Sequence, residues 1–159
     1  MQVSSRHHLR EDDVDAIRES LADIVGVEFD ASTFELVEFD DEEFDIVLVD
    51  GEPLVWYPED EPFLTVVGAN ALDPMKRLVE VDSGAVSFVS DGADVMRPGI
   101  TDADQTIESG DLVIVVEEAH GKALAIGRAM TDGPDMIGES GKVVRSLHHV
   151  GDDLFSFST

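Results

Sequence analysis

The most suggestive arrangement of reactive side chains is Gly138 to Lys142, GESGK, which ends on Gly-Lys as a phosphate-cradling loop does. Such a loop aims successive backbone N–H groups at phosphates, while a hydroxyl just after the lysine holds Mg2+. Its spacing requires glycine where Met136 stands and Ser or Thr where Val143 stands, so no nucleotide loop is read here. Two histidine pairs, His7-His8 and His148-His149, invite a metal reading. Neighbours on a strand point to opposite faces, however, and cannot share an ion. His120 is alone in a turn, and all five histidines are read as structural or solvated. The acidic clusters lack the spaced Asp/Asn-Gly-Glu pattern of a calcium loop. The serines form neither GxSxG nor SxxK, and nothing singles out a catalytic pair among 36 carboxylates. Cysteine is absent, which removes disulfides, thiolate metal sites and a cysteine nucleophile. The expectation is a non-enzyme with no cofactor and no metal.

What remains is the placement of the cations. Arg6, Arg10 and Arg18 lie near the N-terminus, and no Lys or Arg follows until Lys76. The other seven are Lys76, Arg77, Arg97, Lys122, Arg128, Lys142 and Arg145. Gathered on one face they would make a local anion site; scattered, they are ordinary surface ion pairs. Spacing leaves both open.

The formal charge of −26 comes from 36 acids against 10 Lys and Arg, and 43% of the 159 residues are hydrophobic. The acids are interleaved with apolar residues, as in Glu38 to Asp45 (EFDDEEFD), which places Phe39 and Phe44 at strand-like spacing. A dense acidic surface on a normal core suits a cytoplasm of molar salt, where the Debye length falls to about 3 Å. The reading is a halophilic, archaeal chain; an acidic mesophilic protein is the alternative. No apolar run approaches the roughly 18 residues of a membrane span, and Met1 to His8 has no apolar signal region. A cytoplasmic location is expected, with no membrane partner.

These residues must be held by elements, and the pattern predicts them in two groups. Ser4 to Leu9 reads as a lead-in or edge strand. Glu11 to Ile24 reads as a helix striped by Val14, Ile17, Leu21 and Ile24 and ended by Gly26. Strands are expected over 33–39, 44–49 and 53–57, with Asp50-Gly51 as a hairpin turn. The segment 63–72 carries both signals and is read as a short helix capped by Thr65. Leu72-Asp73-Pro74 breaks the pattern and marks a domain boundary. Beyond it, strands are expected over 76–81, 112–116, 123–130, 143–150 and 154–157, with glycine turns between them and a bulge at Gly127. Between the first two lies a short helix whose Ala85, Phe88 and Val89 form one apolar face that must pack. Gly92 suits its C-terminus, and Pro98-Gly99 turns the chain again. The pattern indicates a small β-barrel rather than a parallel sheet.

The residues Asp82, Gly84-Ala85, Phe88-Val89, Gly92-Ala93, Val95-Met96 and Pro98-Gly99-Ile100 resemble the signature of the PUA domain, an RNA-binding module. Gly110-Asp111, Ala125 with Gly127, Gly141-Lys142 and Gly151-Asp152 stand where such domains place turn residues. Val49 to Leu54 and the segment 63–72 resemble the pre-PUA region of the malignant-T-cell-amplified-sequence and ligatin family. The resemblance implies an α+β fold with a pre-PUA α/β domain over residues 1–74 and a PUA pseudo-β-barrel with a short helix over 75–159. It implies binding of RNA, at tRNA acceptor ends or on the small ribosomal subunit, in translation initiation or recycling, and a translation factor as protein partner. DNA is not expected. Carried over by position, the RNA-contacting residues are Gly92, Met96, Arg97, Pro98 and Gly99, with Lys142 and Arg145 nearby, and the Gly92 and Gly99 amides are available to phosphate. The cation at the rigid turn, Arg97, is the leading contact; its alternative role is an ion pair with Asp94. A protein–protein adaptor and an accessory subunit of an RNA-modifying enzyme remain as other functions.

Overall fold

The computed structural model describes residues 1–157. Its first sheet is antiparallel and keeps chain order: β1 (Val3–His8), β2 (Phe34–Phe39), β3 (Asp45–Val49), β4 (Glu52–Tyr57) and β5 (Phe63–Leu64). Helix α1 (Glu11–Val25) connects β1 to β2. It buries Ile17, Leu21 and Val25, the stripe its spacing dictates, and stops at Gly26, whose φ of 73° lets its N–H reach the Leu21 carbonyl. The β3–β4 hairpin turns on Asp50 and Gly51, both at positive φ, as a two-residue turn matching the strand twist requires. The Asp50 carboxylate also accepts the N–H groups of Ser32 and Thr33, fixing the entry to β2.

The segment with mixed signals is both things in turn. Phe63 and Leu64 pair with β4, and α2 (Val66–Leu72) follows at once, with the Thr65 hydroxyl accepting the Gly68 N–H at 2.9 Å. Gly68 lies so close to the Leu54 carbonyl that a Cβ there would overlap it, so α2 is pressed onto the β4 backbone.

The second sheet contains β6 (Leu78–Val81), β7 (Val95–Met96), β8 (Ile100–Ala103), β9 (Leu112–Glu117), β10 (Ala123–Ala129) and β11 (Lys142–His149). Helix α3 (Ser83–Ser90) joins β6 to β7, and a 3-10 turn, Arg97–Gly99, joins β7 to β8. Strand order is β7-β11-β10-β9-β6-β8. β7 and β8 stand at opposite edges of this sheet yet are separated in sequence by a single turn. The sheet must therefore curl until its edges nearly meet, which gives the expected pseudo-barrel. The ladder shifts register at Ile126/Gly127, where a Cβ on Gly127 would strike Val144 and the Arg145 carbonyl. β6 and β9 run parallel and the remaining pairs are antiparallel.

Two apolar clusters result. Val79, Val81, Val113, Val115, Ala125 and Val144 fill the barrel. Leu112, Ile114, Val116 and Ile126 face outward and pack with the first sheet, alongside Trp56 and Leu64. The two halves therefore share a core. Among the described residues no helix is long and apolar enough to cross a membrane.

One predicted element is absent. Residues 154–157 form turns rather than a strand. The Asp152 carboxylate accepts the His149 and Phe155 N–H groups, and Phe157 N–H returns to the Leu154 carbonyl. Local side-chain acceptors have taken donors that a sheet ladder would need.

Candidate functional site

Helix α3 begins where the Asp82 carboxylate accepts the Ala85 N–H at 3.0 Å, a standard N-cap geometry. The Asp82 N–H donates to the Gly99 carbonyl at 2.9 Å, tying the helix start to the 3-10 turn. A Cβ on Gly99 would lie 2.9 Å from the Ala85 methyl, so helix and turn touch because residue 99 has no side chain. At the other end Gly92 adopts φ 94°, and a Cβ there would meet the His149 ring at 2.8 Å. His149 Nδ1 donates to the Ser90 carbonyl at 3.0 Å. The short helix is thus fixed at both ends.

Its apolar face does not all pack, contrary to expectation. Val89 is buried and Ala85 half-buried, but Phe88 is 67% exposed. Val89 with the partly buried Ala85 and Val86 already covers the barrel core, and a helix of two turns has room for one stripe. Phe88 instead lines an open groove of about 430 Å3 together with Ala85, Met96, Pro98 and Gly99. Met96 is 48% exposed. Asp82 and Asp94 also line the groove.

The cations stand elsewhere. Lys142, across the ladder from Met96, places its ammonium 2.9 Å from Asp94. That bond, and then the Ser146 N–H, hold the Asp94 carboxyl below the usual carboxylate range. Lys142, not Arg97, is therefore the partner of Asp94. Arg97 donates from Nε to the Asp135 carbonyl and from a terminal nitrogen to the Ser140 carbonyl, each at 2.9 Å. Its backbone N–H meets the Gly141 carbonyl, and its side chain runs against Gly138 and Gly141. It staples the loop between β10 and β11. The Gly92 N–H is likewise spent, on the Val89 carbonyl. Arg145 is exposed on β11, opposite Arg128.

Of the seven residues selected from sequence, Met96, Pro98 and Gly99 meet on the groove. Lys142 flanks it through Asp94, Gly92 and Arg97 shape its surroundings, and Arg145 lies farther along β11. The cations are mostly dispersed into separate contacts: Arg6 with Glu35, Arg77 with Asp111, and Arg128 with Glu59 and Glu61. Arg18 donates to the Phe29 and Ala31 carbonyls. Phe88 as a surface group was missed from sequence, because its i+3 spacing from Ala85 is also the signature of a core residue. The signal that could have found it is the shortness of the helix.

His148 and His149 are structural. His148 is buried; its Nε2 accepts the Val66 N–H at 3.1 Å, which leaves the proton on Nδ1, donated to Asp152 at 2.8 Å. Among the described residues no group of three or more His, Asp or Glu is placed to hold a metal ion.

A family model of the PUA domain matches residues 77–151. An uncharacterized protein of Methanocaldococcus jannaschii is 42% identical over 112 residues, 70% of this chain and 69% of that protein. Translation machinery-associated protein 20 of Saccharomyces cerevisiae is 33% identical over 117 residues, 69% of this chain and 65% of that protein. The crystal structure of a hypothetical protein from the hyperthermophilic archaeon Pyrococcus horikoshii superposes with a TM-score of 0.87 at 34% identity. That match covers 98% of this chain and 100% of the other.

Proposed function

The chain belongs to the PUA-domain family, with an archaeal relative matched over most of its length, and from that premise we propose that it is a non-catalytic RNA-binding protein of the translation machinery. The observation that carries this reading is the Phe88 ring, left exposed on an apolar groove in a chain of net charge −26. Leaving a large apolar side chain in water makes sense where a partner covers it. An unpaired base is such a partner, since every base has a π-face that stacks on an aromatic ring. A strongly acidic protein gains little from counterion release, which molar salt suppresses further, whereas stacking and amide contacts persist. Similarity to a yeast translation machinery-associated protein supports the setting.

In this reading Phe88, Met96, Pro98 and Gly99 receive unpaired nucleotides of a tRNA acceptor end or of small-subunit rRNA. Gly92 and Arg97 hold the helix end and the neighbouring loop, and Lys142 and Arg145 lie toward the phosphates. Residues 1–74 brace the barrel that follows them and offer a surface to a translation-factor partner. The protein works in the cytoplasm without a cofactor.

The test is an electrophoretic shift with deacylated tRNA and with small-subunit rRNA fragments in high KCl. Phe88→Ala removes one stacking contact worth about 1–3 kcal/mol, so binding should weaken by roughly 5- to 150-fold. Because the ring is exposed, the unfolding temperature should not move. A wild-type chain that shifts neither RNA would point instead to a protein–protein adaptor whose groove receives a peptide.

A further inference from the structure

Strands β10 and β11 place Arg128 and Arg145 directly opposite each other. Opposed residues of an antiparallel pair project to the same face with their Cβ atoms about 5 Å apart, and like charges so placed repel. The chain has ten Lys and Arg among 36 acids, so setting two of its arginines face to face calls for an anion. The protein supplies half of one. Arg128 donates to Glu59 at 2.9 Å, to Glu61 at 3.2 Å and to the Gly110 carbonyl at 2.9 Å. Those two acids come from the other sheet, on the loop joining β4 to β5, and remain 64% and 50% exposed while Arg128 is 18% exposed. Arg145 is exposed; the Asp94 carboxyl feels its charge but is bonded to Lys142 and the Ser146 N–H, so among the described residues the Arg145 guanidinium has no ion pair or hydrogen bond of its own. Ile126, two residues before Arg128, packs in the core shared by the sheets, so the arginine pair borders the seam between the halves.

We infer that Arg128 and Arg145 form a second, phosphate-binding patch for single-stranded RNA, and that the Glu59–Glu61 loop is a strap occupying Arg128 until phosphate replaces it. The inference rests on the RNA-binding reading and extends it beyond the groove. Lys142, the ladder partner of Met96, is three residues from Arg145, about 10 Å along β11. A strand leaving the groove therefore reaches the pair without crossing the barrel. Two guanidinium groups on one face suit phosphodiester oxygens, which accept forked hydrogen bonds as carboxylates do. The exchange is easy because exposed, salt-screened carboxylate pairs are weak.

The experiment measures fluorescence anisotropy of labelled oligouridylate with the full chain across a KCl series. Glu59→Gln/Glu61→Gln should tighten binding roughly three- to tenfold and steepen the dependence of log Kd on log[KCl] by about one. Glu19→Gln/Glu28→Gln, the same charge change at exposed sites elsewhere, should leave affinity within about twofold of wild type, since remote charges are screened in salt. Arg145→Glu should weaken binding roughly tenfold and cancel the gain of the strap variant. The inference is overturned if the strap variant binds no tighter than the control, or if Arg145→Glu binds like wild type. Phe88→Ala reports the groove separately. Unchanged binding in that variant sinks the groove reading while leaving the arginine outcomes decisive, and a chain on which no variant binds oligouridylate overturns both.

Discussion

His148 joins three parts of the chain through one ring. It stands on β11, accepts a hydrogen bond from the first amide of α2 at Val66, donates one from Nδ1–H to the Asp152 carboxylate, and meets Trp56 edge-on at 5.4 Å. Replacing it with Phe keeps the apolar contact but strands the buried Val66 amide and removes one of the three donors to the Asp152 carboxylate. The expected loss is about 2–4 kcal/mol in urea unfolding, with the groove unaltered. The Asp152 carboxyl carries the pH dependence of this junction. Burial by itself would raise it, but the bonds donated by His148, Phe155 and His149 outweigh burial and hold it below the usual range. A depressed carboxyl contributes stability that is complete above its unfolded value of about 3.9 and is lost as pH falls through the lower folded value. Asp152→Asn should therefore flatten the acid limb of the stability profile below about pH 4 and leave neutral-pH ion pairs elsewhere untouched. Glycines act at this scale by absence. Gly99 and Gly127 permit packing so close that a Cβ on either would lie 2.9 Å or less from its neighbour.

Among the elements, the loop from β10 to β11 owes its place to Arg97. Arg97→Lys keeps the charge but not the planar fork that reaches two carbonyls at once. Hydrogen exchange across 135–141 should then quicken, while RNA affinity changes by less than about threefold, since surface substitutions away from a contact have small effects. A tenfold loss of RNA binding with unchanged exchange would return Arg97 to the role of direct contact. Helix α3 is the opposite kind of element, short, capped by Asp82 and pinned through Gly99 and His149, so its exposed ring is carried on a rigid support. Its existence was readable from the spacing of Ala85, Phe88 and Val89 and its C-terminal end from Gly92, whereas the Asp82 cap at its start emerged only in the structure. The outward direction of Phe88 was not readable, because a two-turn helix offers the core one stripe and the barrel's curvature chooses which. The terminal strand expected from Leu154 to Phe157 failed for a related reason: alternation is a weak signal when Asp152 can satisfy the local amides first.

For the molecule as a whole, the charge of −26 must be tolerated by a fold with few ion pairs among its described residues. Self-repulsion of this size destabilises a compact state unless it is screened. The unfolding temperature should accordingly rise as KCl is increased from tens of millimolar to molar, and RNA affinity should fall only weakly over that range. An unfolding temperature indifferent to KCl would favour the acidic mesophile, and a steep loss of affinity would show that phosphate contacts, not the groove, dominate binding. The shared core adds a structural constraint: Leu112, Ile114 and Val116 face the first sheet, so the barrel's outer wall is apolar where residues 1–74 cover it.

By itself the sequence determined the local units: α1 with its Gly26 stop, the Asp50-Gly51 hairpin, the Thr65 cap, the Gly127 bulge, and the absence of a nucleotide loop or thiolate site. These follow from backbone sterics, periodicity and the presence or absence of particular groups, all of which act over a few residues. The partners of the cations were settled by tertiary structure, because Arg97 meets Asp135 and Ser140, and Arg128 meets Glu59 and Glu61, across separations that no local pattern encodes. The same holds for Phe88. Whether a side chain is core or surface depends on what the rest of the chain brings against it, and the described residues leave Phe88 67% exposed.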